Sequence, residues 1–219
     1  MVLYRRSRLA GQSYFFTLGL QDRSASTLTD HIDLLGLAIR VAKARRPFVM
    51  TAIVVLPDHL HCIWKLPDDD SDFPARWRAV KAGFTHRLLQ IGIGLPKRAE
   101  GGYALWQRRF WEHRLRDEDD LARHLDYIHF NPVKHGWATR AADWPHSSFQ
   151  RHVAMGNYEP DWGLAIDAPG DFGEAWTAPI GPVARMDGPP GRMRGTWQWP
   201  TPRIPAVGLM RATPLDHSL

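Results

Sequence analysis

Cysteine is almost absent. The 219 residues contain a single one, Cys62, so no disulfide can form within the chain and the fold must rest on its own core. Cys62 lies in an apolar stretch, where a small buried hydrophobe serves equally well. Also missing is any run of about 20 uncharged apolar residues, which excludes a membrane-spanning helix as a reading of the sequence. The first residues, MVLYRRSRLAGQS, carry arginines with no apolar segment behind them. No secretory signal is read there, and the expected location is the cytoplasm. No internal repeat is visible. Acidic residues are the minority over residues 1–150, where 22 Lys and Arg face 16 Asp and Glu; beyond that point the balance is 6 against 7. The basic excess inclines the reading toward a polyanion, most commonly nucleic acid, although many proteins that bind none carry as much.

What is present is a succession of periodic segments. Ser13 to Gly19 is aromatic and β-branched and reads as a strand. From Asp30 to Arg45 the apolar positions Ile32, Leu35, Ala38, Ile39 and Ala42 recur at helical spacing, with Thr29 or Asp30 as the cap. Phe48 to Leu56 and His59 to Leu66 flank the turn Pro57-Asp58 and so pair as an antiparallel hairpin. A second helix runs from Phe73 to Leu89 behind Asp72, and Tyr103 to Arg116 reads as a fourth strand. The order β-α-β-β-α-β predicts an α+β, ferredoxin-like fold: a four-stranded antiparallel sheet with two helices on one face and the other face open. A further helix follows from Asp117 to Phe130, opened by the acidic turn DEDD and expected to end before Asn131-Pro132. Residues 164–219 hold 9 Pro and 7 Gly without periodicity. The expected organisation is one packed domain over 1–163 and a Pro/Gly-rich, largely disordered tail over 164–219.

Two constellations carry chemistry. In His59-Leu60-His61, strand alternation sends both imidazoles to one face, where they can hold a divalent ion. Taken alone, the pair is as well explained by partly exposed, hydrogen-bonded histidines. On the last helix, about 100° per residue places Asp120, His124, Tyr127 and Asn131 on one stripe, apart from the apolar stripe of Leu121, Leu125 and Ile128. Singly, Tyr127 reads as a half-buried anchor and Asn131 as a turn residue before proline. Together, two imidazoles on an open sheet face and a phenol on a helix that covers it suit phosphoryl transfer. A metal held by His59, His61 and a third ligand would polarise a phosphate while Tyr127 attacks in line, leaving a 5′-phosphotyrosine.

The segments LPDHLHCIW (56–64), WQRRFWEHRLRDEDDL (106–121) and YIHFNPVKHGW (127–137) resemble the REP-associated tyrosine transposases, relatives of the IS200/IS605 transposases in the single-tyrosine HUH superfamily. The resemblance runs from about Tyr14 to about Trp162 and makes 1–163 the catalytic domain. It implies a Mg2+- or Mn2+-dependent endonuclease and strand transferase acting in DNA transposition and recombination. Its substrate would be single-stranded DNA folded into REP- or BIME-like palindromic hairpins. On this reading His59 and His61 bind metal and Tyr127 is the nucleophile. Insertion-sequence relatives complete the metal site with a glutamine one turn beyond the tyrosine; Asn131 takes that place here, with His124 as the second choice. A monomer is favoured over a dimer, with a site made by one chain.

Arg5, Arg6 and Lys134 are the chosen phosphate contacts, from a wider set that includes Arg8, Arg108 and Arg109. Trp106, Phe110 or Trp111 are available to stack on bases. Glu112 and His113 match the family pattern in a supporting role. Two rivals predict different outcomes: a non-catalytic single-strand-binding module would bind without cutting, and a water-activating metallohydrolase would cut without a covalent adduct.

Overall fold

Alternation along the strands divides the molecule into two apolar layers, one on each side of a single sheet. The computed structural model describes residues 9–164; Arg5, Arg6, Arg8 and the tail expected beyond 164 lie outside the described residues. Strands Ser13–Gly19 (β1), Val49–Val55 (β2), His59–Lys65 (β3) and Trp111–Arg114 (β4) form one antiparallel sheet in the order β2-β3-β1-β4. That is the expected ferredoxin-like arrangement, with β1 and β3 central. On one face Tyr14, Phe16 and Leu18 of β1 and Leu60, Cys62 and Trp64 of β3 pack against two helices, Ile32–Arg45 (α2) and Phe73–Gln90 (α3). A short turn, Thr27–Asp30 (α1), precedes α2. Trp64 is sandwiched between Phe48 and Trp77, each with ring centroids 4.0 Å away. Cys62 is fully buried here, and burial holds its thiol well above the ordinary range.

On the opposite face Phe15, Ala52, Val54 and Ile63 pack against Glu118–Lys134 (α4) through Tyr127 and Ile128. A single turn of 3-10 helix (Ala141–Asp143) and a short helix, Phe149–Ala154 (α5), follow. They close over β2, where Ile53 N donates to Ser148 Oγ and Trp144 Nε1 to the Val55 carbonyl. Among the described residues no helix is long and apolar enough to cross a membrane.

Three boundaries differ from the sequence expectation. The first long helix begins at Ile32, not Asp30: His31 breaks away with φ −124° and ψ 39°, and Asp30 instead accepts the Ser26 hydroxyl. Asp72, by contrast, caps α3 as expected, accepting from Ala75 N at 3.1 Å. The fourth strand is four residues long rather than spanning Tyr103 to Arg116. The carbonyls of Tyr103, Trp106 and Gln107 are taken by Arg98 and Lys81 instead of by a continuous ladder, which folds this segment against α3. Finally, α4 does not stop at Phe130 but runs through Asn131 and Pro132 to Lys134. A proline inside a helix costs about 3 kcal/mol locally. Here Asn131, Pro132 and Val133 are all buried, and the packing of that turn overrides the local preference.

Candidate active site

The long α4 brings the chemistry together. Asp117 caps its start, accepting from Asp120 N at 2.8 Å, and Glu118, Asp119 and Asp120 oppose the positive end of the helix dipole. Gly136 ends it with φ 72°, a conformation that costs glycine little. Gly136 N donates to the Val133 carbonyl and Trp137 N to that of Pro132, the paired bonds of a Schellman closure. The helix therefore keeps Asn131 in its last full turn and makes His135 its C-cap.

The four polar residues of the expected stripe, Asp120, His124, Tyr127 and Asn131, are all buried against the sheet, as are His59 and His61. The two histidines are thus not the partly exposed pair of the ordinary explanation. Their rings stand edge to face with centroids 5.0 Å apart, and the Tyr127 ring lies 5.1 Å from that of His61. Each imidazole is held through Nδ1: His61 Nδ1 lies 2.8 Å from Thr17 Oγ1, and His59 Nδ1 lies 2.7 Å from Asp58 Oδ1. Asp58 is held in turn by Arg23 Nε at 2.8 Å. Burial works to raise the Asp58 carboxyl, but the His59 hydrogen bond and the charges of His59 and Arg23 leave it below its ordinary value. An ionised carboxylate can only accept, which makes His59 Nδ1 the donor of that pair. Burial, reinforced by His59, His135, Lys134 and Arg23, keeps His61 well below its usual pKa and hence neutral.

His59 Nε2 and both amide atoms of Asn131 are buried with no hydrogen-bond partner among the described residues. So is His135 Nε2, whose ring stands 5.3 Å from that of His59. Burial, with the nearby His59 and Lys134 charges, depresses His135 to about 4. Buried polar atoms are rarely left unpaired, and each such atom is one that a ligand could satisfy. Neutral imidazole nitrogens and an amide oxygen are donors that suit Mn2+ and its neighbours; an amide oxygen also suits Mg2+. Lys134 is exposed, with Nζ 5.1 Å from the centre of the Tyr127 ring.

His124 points elsewhere. Its Nδ1 lies 2.7 Å from the Asp120 carbonyl oxygen and its ring stacks on His113 with centroids 4.9 Å apart. The Phe15 ring packs against His124, His61 and Tyr127. His113, Asp120 and His124 form a separate trio whose potential ligand atoms lie within 4.8 Å of one another. Asp120 there also accepts from Arg116 N and faces His113 Nε2 at 2.9 Å, tying β4 to the first turn of α4. Glu112 pairs with Phe16 and turns to the α2/α3 side of the sheet. Trp106 and Phe110 belong to that side's core rather than to an open stacking surface, whereas Trp111 is partly exposed and stacked on His113.

Sequence reasoning missed Thr17, Asp58, Arg23 and His135 as parts of this site. Only His135 had a readable signal, one helical turn beyond Asn131 on the same stripe. Thr17 and Arg23 become neighbours of the histidines only through the β1–β3 register, in which Thr17 faces His61 and Gly19 faces His59.

No protein-family model matches the chain. It is 46% identical over 159 residues to the REP-associated tyrosine transposase of Escherichia coli, covering 73% of this chain and 89% of that protein. A Haemophilus influenzae protein assigned to the same family is 46% identical over 164 residues, covering 73% of this chain and 92% of its own length. A solved REP-associated tyrosine transposase bound to a REP hairpin superposes with a TM-score of 0.67. It is 41% identical, covering 86% of this chain and all of that one.

Proposed function

This chain belongs to the REP-associated tyrosine transposases, and from that membership we propose that it cleaves and rejoins single-stranded DNA folded into REP-like hairpins, with Tyr127 as nucleophile. The observation that carries the reading is that His59 Nε2 and both amide atoms of Asn131 are buried without partners among the described residues, on the side of the sheet where Tyr127 packs against His61. His59, His61 and Asn131 would hold a divalent ion, Mg2+ or Mn2+, with His135 beside them; His124 is committed to Asp120. Such an ion supplies Lewis-acid polarisation of a phosphate oxygen and offsets charge developing on it.

The remaining steps belong to the protein. Asp58 and Thr17 fix the two imidazoles through Nδ1, so each presents Nε2 without reorganisation. Tyr127 Oη forms a bond to phosphorus, the bond from phosphorus to the 3′ oxygen breaks, and the products are a 5′-phosphotyrosine and a free 3′-hydroxyl. The phenol must lose a proton as it attacks, and its ordinary pKa is about 10. Lys134, 5.1 Å from the ring, favours the phenolate by its charge. Attack by a 3′-hydroxyl on the phosphotyrosine reverses the sequence and joins strands. The Tyr127 ring packs against His61 of its own chain, which supports a site completed in cis and, with it, a monomer. A substrate of that kind supports a cytoplasmic location. Arg5 and Arg6 remain proposed phosphate contacts.

The test is to mix the protein with labelled single-stranded hairpins from the repeats flanking its gene, with Mg2+, Mn2+ or EDTA, and to run a denaturing gel. A metal-dependent covalent adduct supports the reading. Hairpin binding without cleavage under any metal would leave a binding module, and cleavage without adduct would leave a water-activating hydrolase.

A further inference from the structure

Among the described residues, a cluster of potential metal ligands lies outside the set to which the proposed chemistry assigns its ion. His113 on β4 and Asp120 and His124 early in α4 offer one ligand atom each, all within 4.8 Å of one another. Asp120 and His124 are each only 6% exposed, while His113 is partly open to solvent and forms the entrance. The two oxygens of one carboxylate each face an imidazole nitrogen. Asp120 Oδ2 lies 2.9 Å from His113 Nε2, and Asp120 Oδ1 lies 3.2 Å from His124 Nδ1. A tetrahedral Zn2+ with nitrogen and oxygen ligands at about 2.0–2.1 Å has donor-to-donor edges of about 3.3 Å. Two of the three edges are therefore already close to that length, and a tilt of the imidazoles toward each other closes the third.

The surroundings hold these donors in place. Ring centroids are 5.8 Å apart between Trp111 and His113, 4.9 Å between His113 and His124, and 4.8 Å between His124 and Phe15, so each imidazole is packed between two other rings. Arg116 N donates to Asp120 Oδ2 at 3.1 Å, an outer bond that orients the carboxylate. Burial works to raise the Asp120 carboxyl, but the His113 and Arg116 hydrogen bonds and the charges of His113 and His124 leave it below its ordinary value. Burial also depresses His124, against the pull of the Asp120 carbonyl. An ionised carboxylate beside a neutral imidazole is the state that metal binding requires. The positive end of the α4 dipole opposes a cation here, and Asp117, Glu118 and Asp119 at the same helix end offset it. Coordination asks for two local changes: His124 Nδ1 gives up the Asp120 carbonyl at 2.7 Å, and the exposed Arg123, 3.8 Å from Asp120 Oδ1, swings outward.

We propose that His113, Asp120 and His124 form a second metal site, which takes Zn2+ with water as the fourth ligand and clamps the edge strand β4 to the start of α4. Two imidazoles with one carboxylate suit Zn2+, whereas Mg2+ prefers oxygen ligands throughout. The site shares no residue with His59, His61 and Asn131 and does not depend on the nuclease reading.

The test strips the full chain with EDTA and titrates it with Zn2+ alone by calorimetry near neutral pH. His59→Ala/His61→Ala takes away the nitrogen ligands of the other centre, and this protein is expected to bind a single Zn2+ per chain. Adding His113→Ala and His124→Ala to it should weaken that binding at least about a hundredfold, the upper end of what losing even an outer-shell partner costs. Zn2+ should raise the urea midpoint of the first protein and leave that of the second unchanged. Co2+ in place of Zn2+ should give the intense visible absorption of a four-coordinate ion in the first protein only. Asp120→Asn, of the same shape and still able to accept from Arg116 N, repeats the test where loss of both imidazoles prevents folding; it should weaken Zn2+ at least about tenfold. A His59→Ala/His61→Ala protein that binds no Zn2+ overturns the proposal and leaves the trio as a hydrogen-bonded pin. Zn2+ binding that survives unchanged without His113 and His124, or in Asp120→Asn, places the ion elsewhere and overturns it too.

Discussion

The two faces of β3 carry opposite duties within seven residues. Leu60, Cys62 and Trp64 enter an aromatic layer with Tyr14, Phe16, Phe73, Trp77 and Phe84, all of them buried. His59 and His61, equally buried, lie on the other face, where the His61 ring packs against Tyr127. A strand's period of two makes this possible, because each face can be filled independently of the other. The α2/α3 face is filled by apolar and ring contacts, and the polar atoms it leaves without hydrogen-bond partners among the described residues include the indole Nε1 of Trp64, Trp77 and Trp106. The α4 face leaves polar atoms of His59, Asn131 and His135 without partners among the described residues, a cost of about 1–3 kcal/mol for each such group. The two faces differ in kind: indole N–H groups on one side can only donate, whereas imidazole nitrogens and an amide oxygen on the other are the types of atom that ligate a metal.

The sharpest break between the faces is Tyr127→Phe. The ring packing on Phe15 and His61 survives, and covalent capture of DNA is expected to disappear altogether, read on a denaturing gel, while hairpin binding persists. Trp64→Ala, on the other face, is expected to cost about 3–5 kcal/mol in urea unfolding. Its adduct yield per folded molecule should stay near wild type. A variant at Trp64 that folds normally but fails to form adduct would erase the division of labour.

A third contrast lies behind α4, where Tyr158 Oη donates to Asp126 Oδ1 at 2.8 Å. Burial raises the Asp126 carboxyl from 3.8 to about 6, with the Tyr158 bond pulling the other way. A raised carboxyl contributes its stability in full below 3.8 and loses it as pH climbs through about 6. Asp126→Asn keeps an acceptor for Tyr158 and removes the buried charge. It should therefore exceed wild type by about 2 kcal/mol at pH 8, with the gap closing toward pH 4. Equal stability of the two proteins at pH 8 would count against this. The smallest expected effect is that of Thr17→Val, which takes away the partner of His61 Nδ1. Titration calorimetry with Mn2+ should show affinity reduced at least about tenfold. Unchanged affinity would remove Thr17 from the site.

Much of this was legible in the sequence because it is local. Ser13–Gly19 announced itself by composition, Asp72 by its cap position, and the His59/His61 pair by simple alternation. What escaped was whatever depends on register or on tertiary override. Thr17 and Arg23 reach the histidines only through the pairing of β1 with β3. Asn131-Pro132 reads locally as a stop, yet buried packing carries α4 through it and so makes His135 the cap. The segment 103–110 has strand-like aromatics, but Lys81 and Arg98 on or beside α3 take its carbonyls. That exchange shortened β4, and neither cation is close to its acceptors in any periodic pattern.

The most direct test of the central claim is peptide mapping by mass spectrometry of the covalent complex formed with a hairpin in Mn2+. One modified peptide is expected, with the DNA 5′-phosphate on Tyr127. Attachment at any other residue, or hairpin cleaved to completion with Tyr127 unmodified throughout, would contradict it.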